Sequence, residues 1–192
     1  MDEPRREVLL VNLVTGSRLI FALPVAVLTF WSPGQTWAIV ASTALIVAVE
    51  LSDLFDGYLA RRHDSVSPFG KMFDPYADSI SRLTIYWSLA VIGRCVAFLP
   101  LVMAVRDVTV GYARIIMTRR GRDVAARRTG KLKALIQGAC APLLMAGPLY
   151  WRGAGSCVIW VLSLAVAAIT LASMADYGLA ALAPADDAPA PR

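Results

Sequence analysis

The residues Asp53-Leu54-Phe55-Asp56-Gly57-Tyr58-Leu59-Ala60-Arg61, an eight-residue interval, and Gly70-Lys71-Met72-Phe73-Asp74-Pro75-Tyr76-Ala77-Asp78 carry four carboxylates between two apolar runs, 37–51 and 80–101. Asp53 and Asp56 are three apart and Asp74 and Asp78 four apart, so each pair shares one face of a helix. The flanking runs have the length and apolarity of membrane spans. If the first helix leaves the bilayer near Ala60 and the second enters near Gly70, Asp56 and Asp74 each lie ~6 Å inside their helix ends, and Asp53 and Asp78 lie ~11–12 Å inside. The acids then stand at two matching levels.

Four anions so close together in a low-dielectric setting require cations. Arg61, Arg62 and Lys71 are near, but they sit at the helix ends rather than between the acids. All-oxygen ligands on facing helices suit hard divalent cations, Mg²⁺ or Mn²⁺, and two such ions balance four carboxylates while leaving positions open for a phosphate ligand. The alternative is a set of acids that face a water-filled cavity or pair with arginines. Ionisable residues within spans are costly, and their default reading is functional.

The stretch resembles the signature of the CDP-alcohol phosphatidyltransferase family, D-x2-D-G-x2-A-R-x8-G-x3-D-x3-D. Asp53, Asp56, Gly57, Ala60, Arg61, Gly70, Asp74 and Asp78 match it without insertion or substitution. Eight fixed positions over 26 residues are far more specific than a short glycine motif.

The rest of the chain bears on the same reading. It is 57% hydrophobic over 192 residues, too apolar for an ordinary soluble domain of that length. The expectation is an all-α polytopic membrane protein: one domain over 1–182 with six transmembrane helices, a short N-terminal amphipathic segment, and a disordered Ala- and Pro-rich tail over 183–192. The spans are expected at about 19–31, 37–60, 70–100, 101–117, 134–151 and 157–179. The net charge of +5 is not a nucleic-acid footprint, because the basic residues concentrate in short loops. The loop 118–133 holds Arg119, Arg120, Arg122, Arg127, Arg128, Lys131 and Lys133, which places it on the cytoplasmic side of the inner membrane. Both termini and the loop between the two acidic pairs fall on that side. Cys95, Cys140 and Cys157 have no metal-ligand spacing and an odd count, so they read as small hydrophobes. His63 is the one histidine, which leaves a His-based triad or zinc site little to work with.

The resemblance implies a reaction. A CDP-linked lipid, CDP-diacylglycerol, binds with its pyrophosphate on metals held by Asp53, Asp56, Asp74 and Asp78. An acceptor alcohol attacks the phosphorus that bears the lipid, CMP leaves, and Asp78 is the base. Gly57 and Ala60 have almost no side chain, so a flat group can approach the backbone there, although small residues also let membrane helices pack. Gly70, Arg61 and Ser67 extend the CDP-lipid site. Asn12, Thr15 and Arg18 are similar to the Asn-x-x-Thr-x-x-Arg start of bacterial members. Relatives also imply a homodimer surrounded by membrane lipids.

The acceptor is read from a second region. Arg106, Asp107 and Arg114, followed by Gly130, Lys131, Lys133 and Gln137, look like the corresponding part of the phosphatidylglycerophosphate synthase branch, whose acceptor is glycerol 3-phosphate. Arg106, Arg114, Lys131 and Lys133 then form a phosphate pocket. The alternative is that the lysines only set topology and meet anionic lipid. Asp107, Ser79 and Ala134 depart from the branch pattern of glutamate, lysine and threonine, which leaves phosphatidylglycerol (giving cardiolipin) and inositol phosphate as other acceptors. A divalent-cation transporter is the rival of another class. It calls for polar residues through the full depth of several spans, whereas the acids here cluster at one end. Prenyl-diphosphate chemistry also uses Asp-rich metal sites but does not call for the Gly-x-x-Ala-Arg element.

Overall fold

The computed structural model describes residues 3–63, 68–121, 128–151 and 155–183, and side chains at 16, 18–52 and, within those bounds, from 75 onward. Six helices follow one another: α1 (Glu3–Trp31), α2 (Thr36–His63), α3 (Pro68–Val91), α4 (Leu99–Arg119), α5 (Arg128–Tyr150) and α6 (Gly155–Leu182). Helix α1 packs on α2 and α3, α6 packs on α4 and α5, and contacts from α2 and α3 to α5 and from α3 to α4 join the two groups.

Polarity is distributed inside out. Leu23, Trp31, Trp37, Leu101, Val108 and Trp160 face outward and are exposed, whereas Ser42, Arg82, Gln137, Ser163, Thr170 and Ser173 are buried. A helix bundle in hydrocarbon has this pattern, because lipid tails solvate Leu and Val while polar side chains find partners inside. Gln137 Nε2 donates to Thr170 Oγ1 at 3.0 Å, and Tyr86 Oη donates to the Gln137 carbonyl at 2.7 Å, tying α3, α5 and α6 together. Among the described residues, α5 and α6 are long and apolar enough along a continuous window to cross a bilayer, and the described parts of α1 and α2, Arg18–Trp31 and Thr36–Ser52, are apolar as well. The architecture is all-helical, and among the described residues length and apolarity mark two helices, α5 and α6, as spans.

Three boundaries differ from the sequence expectation. The N-terminal amphipathic segment is not separate, because α1 is continuous from Glu3 to Trp31. Helix α3 stops at Val91 rather than running on to Pro100. The cause is Gly93, whose φ of +72° suits a residue without Cβ. The Arg94 amide donates to the Leu89 carbonyl at 2.8 Å and the Gly93 amide to the Ala90 carbonyl at 3.1 Å, a Schellman stop. Finally, α5 begins at Arg128, so Lys131 and Lys133 lie on a helix and not in the basic loop. Residues 184–192, expected to be a disordered tail, lie outside the described residues.

The end of the bundle away from the acids is closed by Arg94, which is buried. Its Nη1 donates to the Met145 carbonyl and its Nη2 to the Pro33 carbonyl, both at 2.8 Å. One guanidinium thereby joins the α1–α2 turn, the α3–α4 connection and α5.

Candidate active site

The acidic pairs fall where α2 ends and α3 begins. Positions 53 and 56 lie ten and seven residues before His63, and positions 74 and 78 lie six and ten residues after Pro68. At a rise of ~1.5 Å per residue the inner pair is ~15 Å and the outer pair ~10 Å from the helix ends, so the two levels still match although both helices extend further than expected. Helices α2 and α3 are in contact. The side chains of Asp53, Asp56, Gly57, Ala60, Arg61, Gly70 and Asp74, and of Asn12 and Thr15 on α1, lie outside the described side chains, and Ser67 lies outside the described residues.

Asp78 is described, and it is not isolated. Arg82, one turn along α3, places Nε 3.0 Å from Asp78 Oδ1. The same guanidinium donates through Nη2 to Glu50 Oε2 on α2 and through Nη1 to the Ala134 carbonyl on α5, each at 3.0 Å. Arg82 is 4% exposed.

Asp78 also lines a cavity of about 550 Å³ bounded by α3, α4, α5 and α6. Arg106, Asp107, Arg114, Lys131 and Lys133 share its wall, so the structure brings Asp78 together with all four basic residues of the second sequence region. Asp107 organises two of them: Arg106 Nη1 lies 2.9 Å and Lys133 Nζ 3.2 Å from Asp107 Oδ1. Arg106 Nη2 donates to Ser173 Oγ at 2.6 Å.

Tyr177 completes the wall, and nothing in the sequence pattern marks it. Both α4 guanidinia lie over its ring, Arg106 at 5.7 Å and Arg114 at 5.4 Å from the centroid. Arg114 Nη2 is 3.4 Å from its hydroxyl. The eight-residue spacing of the arginines, about two turns, makes this possible, because both project from one side of α4. Gly130 leaves room for it: a Cβ there would stand 3.3 Å from the Tyr177 hydroxyl. The Nε atoms of Arg106 and Arg114 are buried without a hydrogen-bond partner. Buried donors of that kind favour an anion in the cavity.

Comparison with known proteins gives a consistent result. Residues 8–176 match the family model described as CDP-alcohol phosphatidyltransferase. A CDP-diacylglycerol–glycerol-3-phosphate 3-phosphatidyltransferase of Treponema pallidum is 36% identical over 112 residues, 58% of this chain and 52% of the relative. A protein of the same name from Rickettsia typhi is 29% identical over 155 residues, covering 78% of this chain and 86% of the relative. A probable phosphatidylglycerophosphate synthase of Mycobacterium tuberculosis is 30% identical over 146 residues, 73% and 69% of the two chains. The chain thus spans about half the length of the Treponema relative and most of the other two.

Proposed function

The chain belongs to the CDP-alcohol phosphatidyltransferase family, and from that premise we propose that it transfers the phosphatidyl group of CDP-diacylglycerol to glycerol 3-phosphate, releasing CMP, in phospholipid biosynthesis. The observation that carries a phosphomonoester acceptor is the charge of the cavity beside Asp78, and the relatives named for glycerol 3-phosphate favour that acceptor over inositol phosphate. Four cations, Arg106, Arg114, Lys131 and Lys133, face two carboxylates, Asp78 and Asp107. The excess of two positive charges complements a phosphomonoester dianion, and the planar guanidinia offer paired donors to its oxygens. A neutral or zwitterionic alcohol leaves that excess unbalanced in a low-dielectric site.

Seated on those cations, the acceptor brings its free hydroxyl to Asp78. Asp78 takes the hydroxyl proton as the oxygen attacks the phosphorus bearing diacylglycerol, the bond from that phosphorus to CMP breaks, and CMP leaves with the bridging oxygen. Family members are generally divalent-metal dependent. The donor set fits: four carboxylates at two matched levels on neighbouring helices supply the hard oxygen ligands of Mg²⁺ or Mn²⁺. Asp53, Asp56, Asp74 and Asp78 would hold two ions, whose contribution is to neutralise the pyrophosphate and the charge developing on CMP. Gly57 and Ala60 admit the nucleotide close to α2, with Asn12, Thr15, Arg61, Ser67 and Gly70 around it.

In this reading all six helices span the inner membrane, with both termini and the site on the cytoplasmic side, and two copies form a homodimer. The test is release of CMP by purified protein given Mg²⁺ or Mn²⁺, CDP-diacylglycerol and a panel of labelled acceptors. Glycerol 3-phosphate should be preferred to inositol phosphate and phosphatidylglycerol. A preference for either of the others would refute the acceptor assignment, and release with none would refute the reaction.

A further inference from the structure

Glu50, Arg82 and Gly138 come from three helices and meet behind Asp78. The Arg82 guanidinium divides its donors among Asp78 Oδ1 on its own helix, Glu50 Oε2 on α2 and the Ala134 carbonyl on α5, each at 3.0 Å. Its position is therefore over-determined by two helices that do not carry the base. Glu50 in turn is seated against the backbone of α5. A Cβ at position 138 would overlap Glu50 Oε2 and stand 2.9 Å from its carboxyl carbon. Among the helical glycines with open surroundings, Gly111 and Gly178 show no such neighbour. The absence of a side chain at 138 is thus what lets the Glu50 carboxylate reach Arg82.

We propose that Glu50 and Arg82 are positioning residues for the base, and that Gly138 is the seat that sets their register; this rests on the reading of Asp78 as the group that receives the acceptor proton. A guanidinium on Oδ1 fixes the rotation of the Asp78 carboxylate and leaves Oδ2 for the acceptor hydroxyl. Neither Glu50 nor Arg82 lines the cavity beside Asp78, so the pair acts on the geometry of attack and not on acceptor binding. Displacements of about 1 Å at a reacting group cost on the order of 10²-fold in rate. A shift of Glu50 forced by a methyl group at 138 is of that size and passes to Asp78 through a single guanidinium.

The experiment compares wild type, Gly138→Ala, Arg82→Gln and the double variant. It reads kcat and KM for glycerol 3-phosphate from CMP release, and equilibrium binding of labelled CDP-diacylglycerol to the detergent-solubilised protein. Gly138→Ala removes no polar group, so it keeps the test valid should Arg82→Gln fail to fold. The expected result is a kcat lowered at least tenfold in each single variant, with KM and CDP-diacylglycerol binding within about threefold of wild type. The double variant should lose no more than Arg82→Gln alone, because coupled sites are not additive. A kcat within threefold of wild type in Gly138→Ala, losses that multiply in the double variant, or binding that falls in step with kcat would each overturn the proposal. If wild type itself releases no CMP with any acceptor, the reaction is wrong, which is a different failure from a wild type that works and variants that work equally well.

Discussion

The ammonium of Lys133 on α5 stands 3.2 Å from Asp107 Oδ1 on α4, with both side chains almost fully withdrawn from the surface. A lysine expected to sit in a basic surface loop is instead half of an interhelical ion pair, and Arg106 shares the same carboxylate oxygen at 2.9 Å. Asp107 therefore sets the spacing of two of the four cations that line the cavity.

Asp107→Asn should reveal both roles. Removing one partner from a buried ionic cluster leaves charge uncompensated, at a cost of about 3 kcal/mol. The same change frees Arg106 and Lys133 to move apart. A lower unfolding midpoint in detergent, together with a KM for glycerol 3-phosphate raised at least fivefold, is the expected pair of results. A change in KM without loss of stability would show that the cluster is solvated.

Asp78→Asn removes the proposed proton acceptor while preserving shape and the contact with Arg82. General-base catalysis contributes about 10²–10⁴-fold, so CMP release with glycerol 3-phosphate should fall by that range. CDP-diacylglycerol binding should persist, since the other three acids remain. Turnover close to wild type would remove Asp78 from the role of base.

How far these residues could be read in the sequence depends on the range of the interaction that places them. The helical positions of the acidic pairs, toward the end of α2 and the start of α3, were legible because the spacing of three and four residues is local helix geometry. Arg106 and Arg114 were legible as one face of α4 for the same reason. Tyr177 was not, because the two arginines over its ring are more than sixty residues away and a Tyr on an apolar helix has many ordinary packing roles. Glu50 and Arg82 stand close to the motif in sequence, but only the docking of α2 and α5 on α3 turns them into one network. The early stop of α3 had a local signal in Gly93 that hydropathy obscured, since the apolar run continues past the turn into α4.

Chelation tests the acidic pairs as a unit. EDTA should abolish both CMP release and CDP-diacylglycerol binding, because the pyrophosphate is expected to sit on ions held by Asp53, Asp56, Asp74 and Asp78. Readdition of Mg²⁺ or Mn²⁺ should restore both, and Ca²⁺, with its longer bonds and looser geometry, should restore turnover poorly. Full activity in excess EDTA would dismiss the metal assignment.

Cysteine chemistry tests the topology. Cys95, in the connection between α3 and α4, is buried, and burial pushes its thiol up to about 12, so at pH 7.5 it stays protonated and unreactive. Cys140 is buried within α5, whereas Cys157 is exposed in the first turn of α6. A membrane-impermeant maleimide should label the protein at Cys157 alone, and faster in right-side-out than in inverted vesicles. Labelling confined to inverted vesicles would reverse the proposed orientation.

Tyr177→Leu and Tyr177→Phe separate the ring from the hydroxyl. Two guanidinia lie within 6 Å of one buried ring, and each such contact is worth about 0.5–2 kcal/mol depending on desolvation. Loss of the ring lets both arginines relax toward Asp107 or out of the cavity, so Tyr177→Leu should raise the KM for glycerol 3-phosphate about tenfold with a smaller effect on kcat. Tyr177→Phe keeps the ring and gives up the 3.4 Å contact of the hydroxyl with Arg114, and it should change KM by less than about threefold, in line with a weak neutral–charged hydrogen bond. Equal losses in the two variants would move the weight from the aromatic face to the hydroxyl and would imply that Tyr177 itself contacts the acceptor phosphate.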